Sequence, residues 1–185
     1  MADKNLHFVA VIPPEPLQSE VYEFKKYISA KYPSTKSSLK SPAHITIIPP
    51  FSVQPGSEEL LIKLLEKTVV GTSPFQLQLH NFDFFNRQTI YVHVEENGDL
   101  QNLYNNLHPH FNQMFKGDKG HIFNRPFKAH MTVVNRDFTE SDFAAAKTEF
   151  EQKKFTAIFE VSSIYLLRFD VKANKWLYSA ETKFA

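Results

Sequence analysis

A chain of 185 residues is the length of one compact domain, and 42% hydrophobic with 14% aromatic residues supplies ample material for a core. A formal net charge of +1 argues against a coat for long nucleic acid, which needs a broadly basic face. The absence of cysteine excludes disulfides, thiolate metal sites and a cysteine nucleophile.

Leu6–Ile12 reads as a buried strand closed by Pro13-Pro14. It is too short to span a membrane and lacks the layout of a secretory signal, so no membrane association and a cytoplasmic location are expected. Leu17, Val21, Phe24 and Ile28 recur at helical spacing and predict an amphipathic helix to about Tyr32. The polar stretch from Pro33 to Pro42 leads into AHITII, a short strand stopped by Pro49-Pro50. A second helix is expected from about Ser57, with Leu60, Leu61, Leu64 and Leu65 on its inner face. Phe75, Leu77 and Leu79 alternate with polar residues as in a half-buried strand, and the phase change before Phe82 predicts a bulge.

Past a turn at Asn86-Arg87 the pattern starts again. Ile90–Glu95 is a strand, and a helix capped by Asp99 turns Leu100, Leu103, Leu107 and Phe111 inward. The polar loop Lys116–Arg125 leads into AHMTVV, and Thr139-x-x-Asp142 opens a further helix with Phe143, Ala146 and Phe150. Phe155–Arg168 and Trp176–Thr182 supply the last strands. AHITII and AHMTVV sit at the same place in two matching element series, their histidines 130 − 44 = 86 residues apart. This reads as one domain over residues 1–185, built from pseudo-repeats of about 5–86 and 87–170 and a closing strand of about 174–183.

Side chains at i and i+2 of a strand share a face, so His44 pairs with Thr46, and His130 with Thr132. A two-fold relation would bring these pairs to opposite walls of one cleft. That suits in-line displacement at phosphorus, where a base and an acid must face each other across the phosphate. Histidine serves either role near neutral pH, and threonine hydroxyls can stabilise charge on the non-bridging oxygens. Taken singly, a histidine on an apolar strand is more often structural; it is the repetition that favours chemistry.

The motifs HITI (44–47) and HMTV (130–133), with the context RPFKAHMTV (125–133), resemble those of the 2H phosphoesterases, which include the bacterial 2′-5′ RNA ligase-like proteins. The resemblance covers nearly the whole chain. It implies an α+β, bilobal, internally duplicated fold, with two antiparallel sheets and flanking helices around a central cleft. It implies hydrolysis of a cyclic or linear phosphodiester on a nucleotide or RNA end, with no metal and no cofactor. The catalytic residues would be His44, Thr46, His130 and Thr132. RNA-end ligation or 2′-5′ processing, and a non-catalytic module binding nucleotides or RNA ends, are the alternatives.

Arg125 is the candidate phosphate clamp, because a guanidinium suits bidentate phosphate contact. Phe51, Tyr91 and Phe123 are candidate walls for a stacked base, although core packing competes for any one phenylalanine. His108-Pro-His110 lacks a nearby carboxylate to complete a ligand set, and no phosphate-cradling glycine motif is present. A monomer is expected.

Overall fold

The first apolar run forms β1 (Asn5–Val11) in a computed structural model that describes residues 5–85, 88–115, 126–135 and 138–184. Then follow α1 (Leu17–Lys31), β2 (Ile45–Val53), α2 (Glu58–Val69), β3 (Phe75–Phe85), β4 (Thr89–Val94) and α3 (Gly98–Met114). The chain ends with β5 (His130–Asn135), α4 (Glu140–Gln152), β6 (Thr156–Val161), β7 (Ser163–Asp170) and β8 (Lys175–Lys183). Between α1 and β2 the polar stretch Pro33–Lys40 is a 3-10 helix. Its hydroxyls bond back to the preceding turn: Thr35 Oγ1 donates to Tyr32 O at 2.8 Å, and Ser38 Oγ to Thr35 O at 2.9 Å.

The strands form one antiparallel sheet in the order β6-β3-β4-β5-β2-β1-β7-β8, where the resemblance implies two separate sheets. The correction has a local cause. β2 and β5 meet through Ile45 opposite Met131, both fully buried, and this pairing fuses two four-stranded halves edge to edge. The sheet must also curl. Only Ser162 separates β6, at one end of the order, from β7, second from the other. Two peptide units span at most about 7 Å, so the far strands are drawn toward each other.

The helices cross between the halves. On α1, which links β1 to β2, Phe24 packs against Phe82, Phe150 and Phe155 of the other half. On α3, which links β4 to β5, Phe111 packs against Phe51 of β2. The main core lies under these helices, while Phe8, Ala10 and Leu167 form a small cluster with Trp176 on the opposite face of the sheet.

Several local expectations hold. β3 has the predicted irregularity between Leu79 and Phe82, where Asn81 takes a positive φ of 54° and bonds Phe155 through backbone and side chain. Thr139 caps α4 by accepting from Asp142 N at 3.1 Å. Others are corrected. β2 runs through Pro49-Pro50 to Val53, because a register shift opposite Phe8 accommodates two residues that cannot donate to the ladder. α3 is capped by Asn97, whose side chain accepts from Leu100 N at 2.9 Å, and Asp99 lies in its first turn. Leu60 is 65% exposed, because α2 turns Leu61, Leu65 and Val69 inward. The Asn86-Arg87 turn and the Lys116–Arg125 loop lie outside the described residues.

Candidate active site

The two His-x-Thr segments fall where the two strands at the middle of the sheet meet: His44 immediately precedes β2, Thr46 is on it, and His130 and Thr132 are on β5. Along each, burial alternates as the sequence predicts: Ile45, Ile47, Met131 and Val133 are buried, while His44, Thr46, His130 and Thr132 are half-buried on the other face. Continuing the register of Ile45 and Met131 sets His44 across from Thr132, and Thr46 across from His130.

Both strands carry a bulge just past the threonine. On β2, Ile48 pairs with Val9 and Thr46 with Ala10, so Ile47 is the extra residue. On β5, Val134 pairs with Ile90 and Thr132 with Tyr91, so Val133 is the extra residue. The bulges are 133 − 47 = 86 residues apart, the same offset as the histidines. The extra residue puts Ile47 and Ile48, and likewise Val133 and Val134, into the core in succession. It also bends each strand beside its histidine, the usual way a bulge re-aims a side chain.

The two imidazoles are anchored alike. His44 Nδ1 lies 2.8 Å from the carbonyl of Pro42, and His130 Nδ1 lies 2.7 Å from that of Lys128, each two residues upstream. A carbonyl only accepts, so each Nδ1 carries the proton, and each neutral ring keeps its lone pair on Nε2. Among the described residues nothing hydrogen-bonds either Nε2. Aromatic rings back both imidazoles: Phe8 lies 4.8 Å from His44, with Trp176 edge-on to Phe8 at 4.5 Å. On the other side Phe85 and Tyr91 lie 5.0 and 5.4 Å from His130.

Burial holds both histidines below their ordinary value, and unequally. His44 is pushed down to about 3, by burial first and by the charge of Lys25 second, against the Pro42 carbonyl. His130 is lowered by burial, with the Lys128 carbonyl working the other way and the Lys128 ammonium adding to the lowering.

Two candidate base-stacking walls are corrected. Phe51 is 5% exposed and packed among Phe111 and Phe115 in the core, so no base reaches it. Tyr91 is fully buried: its ring stacks under Phe85 at 4.1 Å, and its hydroxyl donates to Asp83 Oδ2 at 2.7 Å. It supports His130 and does not line an open wall. Arg125 and Phe123 lie outside the described residues. In the 3-10 stretch Pro33–Lys40, which leads to the first motif, Lys36 is exposed and Lys40 donates to Asn174 Oδ1 at 2.9 Å.

The structure adds residues that strand alternation does not reveal. Lys128 stands two positions before His130, with its ammonium 4.8 Å from the Phe85 ring centre. Phe8 and Phe85 contact the histidines, and their spacing relative to the motifs carries no signal because so many phenylalanines compete. A pocket of about 600 Å³ opens beside the second motif, lined by His93, Phe127, Lys128 and the first turn of α3. Among the described residues, no cluster of three or more histidines, aspartates or glutamates is placed to hold a metal ion. Nor is any helix there long and apolar enough to cross a membrane.

The curled antiparallel sheet defines a class of fold, and known proteins share it. Residues 13–173 match the family model of the 2′-5′ RNA ligase superfamily, and the chain belongs to that family, within the 2H phosphoesterases. "Putative phosphoesterase BH1439" of Halalkalibacterium halodurans is 26% identical over 102 residues, or 54% of this chain; the match spans 56% of that protein's length. TT0787 of Thermus thermophilus superposes with a TM-score of 0.67 at 18% identity, over 97% of both chains. LigT of E. coli, crystallised with 3′-AMP, gives 0.66 at 18% identity over 99% of both. At that identity the likeness is one of fold.

Proposed function

We propose that the protein is a metal-independent phosphodiesterase that hydrolyses 2′,3′-cyclic phosphates on nucleotides or RNA ends. The observation that carries this reading is the matched anchoring of the two imidazoles, which leaves both Nε2 atoms for proton transfer beside two threonine hydroxyls. In the reaction, one Nε2 takes a proton from water as its oxygen attacks phosphorus. The bond from phosphorus to one ribose oxygen breaks, and the other Nε2–H protonates that oxygen. The product is a phosphomonoester and a free ribose hydroxyl, and the two histidines have exchanged protonation states. Thr46 and Thr132 donate to the non-bridging oxygens, where charge builds in the transition state.

A nucleotide-type substrate is supported by the complexes of LigT with 3′-AMP, NADP+ and ATP, and by the pocket of about 600 Å³, large enough for a nucleoside. The equal offset of bulges and histidines supports reading the chain as one domain of two pseudo-repeats.

The test is turnover of the four 2′,3′-cyclic mononucleotides in EDTA, beside a His44→Ala/His130→Ala double variant. Turnover lost in the variant upholds the mechanism; turnover retained there ends it. The family description keeps RNA-end ligation as the second reading. Joined products from RNA carrying 2′,3′-cyclic phosphate and 5′-hydroxyl ends would favour it, and nucleotide binding without turnover would favour a sensor.

A further inference from the structure

Lys25 sits in the middle of α1 and is 1% exposed. A buried ammonium is costly unless its protons are met, and here three carbonyls meet them: Ser38 at 3.5 Å, Ser41 at 3.1 Å and Pro42 at 3.0 Å. Among the described residues no carboxylate pairs with it within 4.0 Å, so its charge is solvated by dipoles and not neutralised. The Pro42 carbonyl is shared, because His44 Nδ1 donates to the same oxygen at 2.8 Å. α1 grips this entry segment elsewhere too, with the Tyr22 hydroxyl on Leu39 O at 3.1 Å and Ser29 Oγ 3.2 Å from Ser38 Oγ.

The second motif is built differently. The carbonyl that holds His130 belongs to Lys128, an exposed residue whose own ammonium lies over the Phe85 and Tyr91 rings. Water screens that charge, whereas protein surrounds Lys25. The other ionisable groups near the pair are His93, across from His130 on β4, and Asp83 on β3, which Tyr91 engages.

We propose that Lys25 is a positioning residue that makes the two histidines unequal: through the shared Pro42 carbonyl it keeps His44 neutral as the proton acceptor and leaves His130 as the donor. This rests on the hydrolytic reading above and assigns roles within it. An ammonium one carbonyl away from Nδ1 opposes a second positive charge on the His44 ring. It also locks the Pro42 oxygen in place, which fixes the Nδ1–H tautomer and aims Nε2 at the cleft. The stronger lowering of His44 relative to His130 agrees in direction. Lys25 itself is brought down to about 7 by burial, so it is charged through the acidic range in which His44 would otherwise take up a proton.

The experiment is an imidazole-resolved NMR titration of the full chain, wild type beside Lys25→Met, with Lys25→Gln used if the Met variant does not fold. In the wild type His44 should be the Nδ1–H tautomer and titrate below His130. Loss of the charge should raise the His44 midpoint by about one pH unit or more and leave His130 within a few tenths. The acid limb of kcat/KM should move by the same amount. A wild-type His44 titrating above His130, or a variant with an unmoved His44 midpoint, overturns the proposal. The titration needs no turnover, so an inactive protein would count against the hydrolytic reading while the role of Lys25 was still decided.

Discussion

Ile45 on β2 lies directly opposite Met131 on β5, and among the described residues this pair alone joins the two halves of the sheet in register. Each residue has a motif histidine on one side and a motif threonine on the other. The seam that holds the fold together is therefore also the ruler that spaces the site.

Truncating this seam should cost stability and activity together. Met131 is fully buried, so Met131→Ala should lower unfolding free energy by about 2–5 kcal/mol, read from urea denaturation. If the site depends on the seam, kcat falls in the variant under conditions where it remains folded. Full activity in a destabilised variant would show that each motif holds its own geometry.

The motif residues should separate by role. His44→Ala or His130→Ala should lower kcat about 10²–10⁴-fold, as expected for loss of a general acid or base. Thr46→Val and Thr132→Val keep the side-chain shape and remove the donor, and each should cost about 10²–10³-fold in kcat. Steady-state kinetics on one cyclic nucleotide checks all four. An unchanged kcat in either threonine variant would remove that hydroxyl from the transition state.

The low value of His44 predicts an acid-dependent stability. In the folded protein the ring gives up its proton at about 3, against an ordinary 6.5, so between those values the unfolded chain holds more protons. Unfolding free energy then rises with pH through this window. The contribution is complete above about 6.5 and is lost as pH falls toward 3. Urea midpoints at pH 4 and pH 7 should differ more in the wild type than in His44→Gln. Equal differences would mean that the ring is protonated without penalty.

Tyr91 should behave as a buttress. Tyr91→Phe removes a hydroxyl that donates to Asp83 and retains the ring beside His130, so KM should stay within twofold. Stability should fall by about 0.5–1.5 kcal/mol, the net value of one hydrogen bond. A large rise in KM would return Tyr91 to the substrate wall.

Much of this architecture is legible in residue order. The alternation around His44 and His130 reads directly as burial, and the cap at Thr139 and the bulge before Phe82 follow from local chemistry alone. Non-local features are less legible. Nothing in AHITII says that its strand edge will meet the edge of AHMTVV, so residue order does not reveal that two halves make one sheet. Pro49-Pro50 looks like a stop until the bulge opposite Phe8 absorbs it. Tyr91 and Phe51 sit on strands whose outward face depends on which helix covers them, and α3 covers Phe51. Lys25 falls on the inner side of an amphipathic helix, where a charged residue reads as an irregularity. Its purpose emerges only when the Pro42 carbonyl is brought alongside.

The single residue between β6 and β7, together with the helices that cross between halves, makes this molecule laced and not merely paired. Each half borrows its roof from a helix strung between strands of the other. Cutting the chain between β3 and β4 would part Phe24 of α1 from Phe150 and Phe155, and Phe111 of α3 from Phe51. The same cut would put His44 on one piece and His130 on the other, so the two walls of the cleft belong to one continuous chain only while that link is whole.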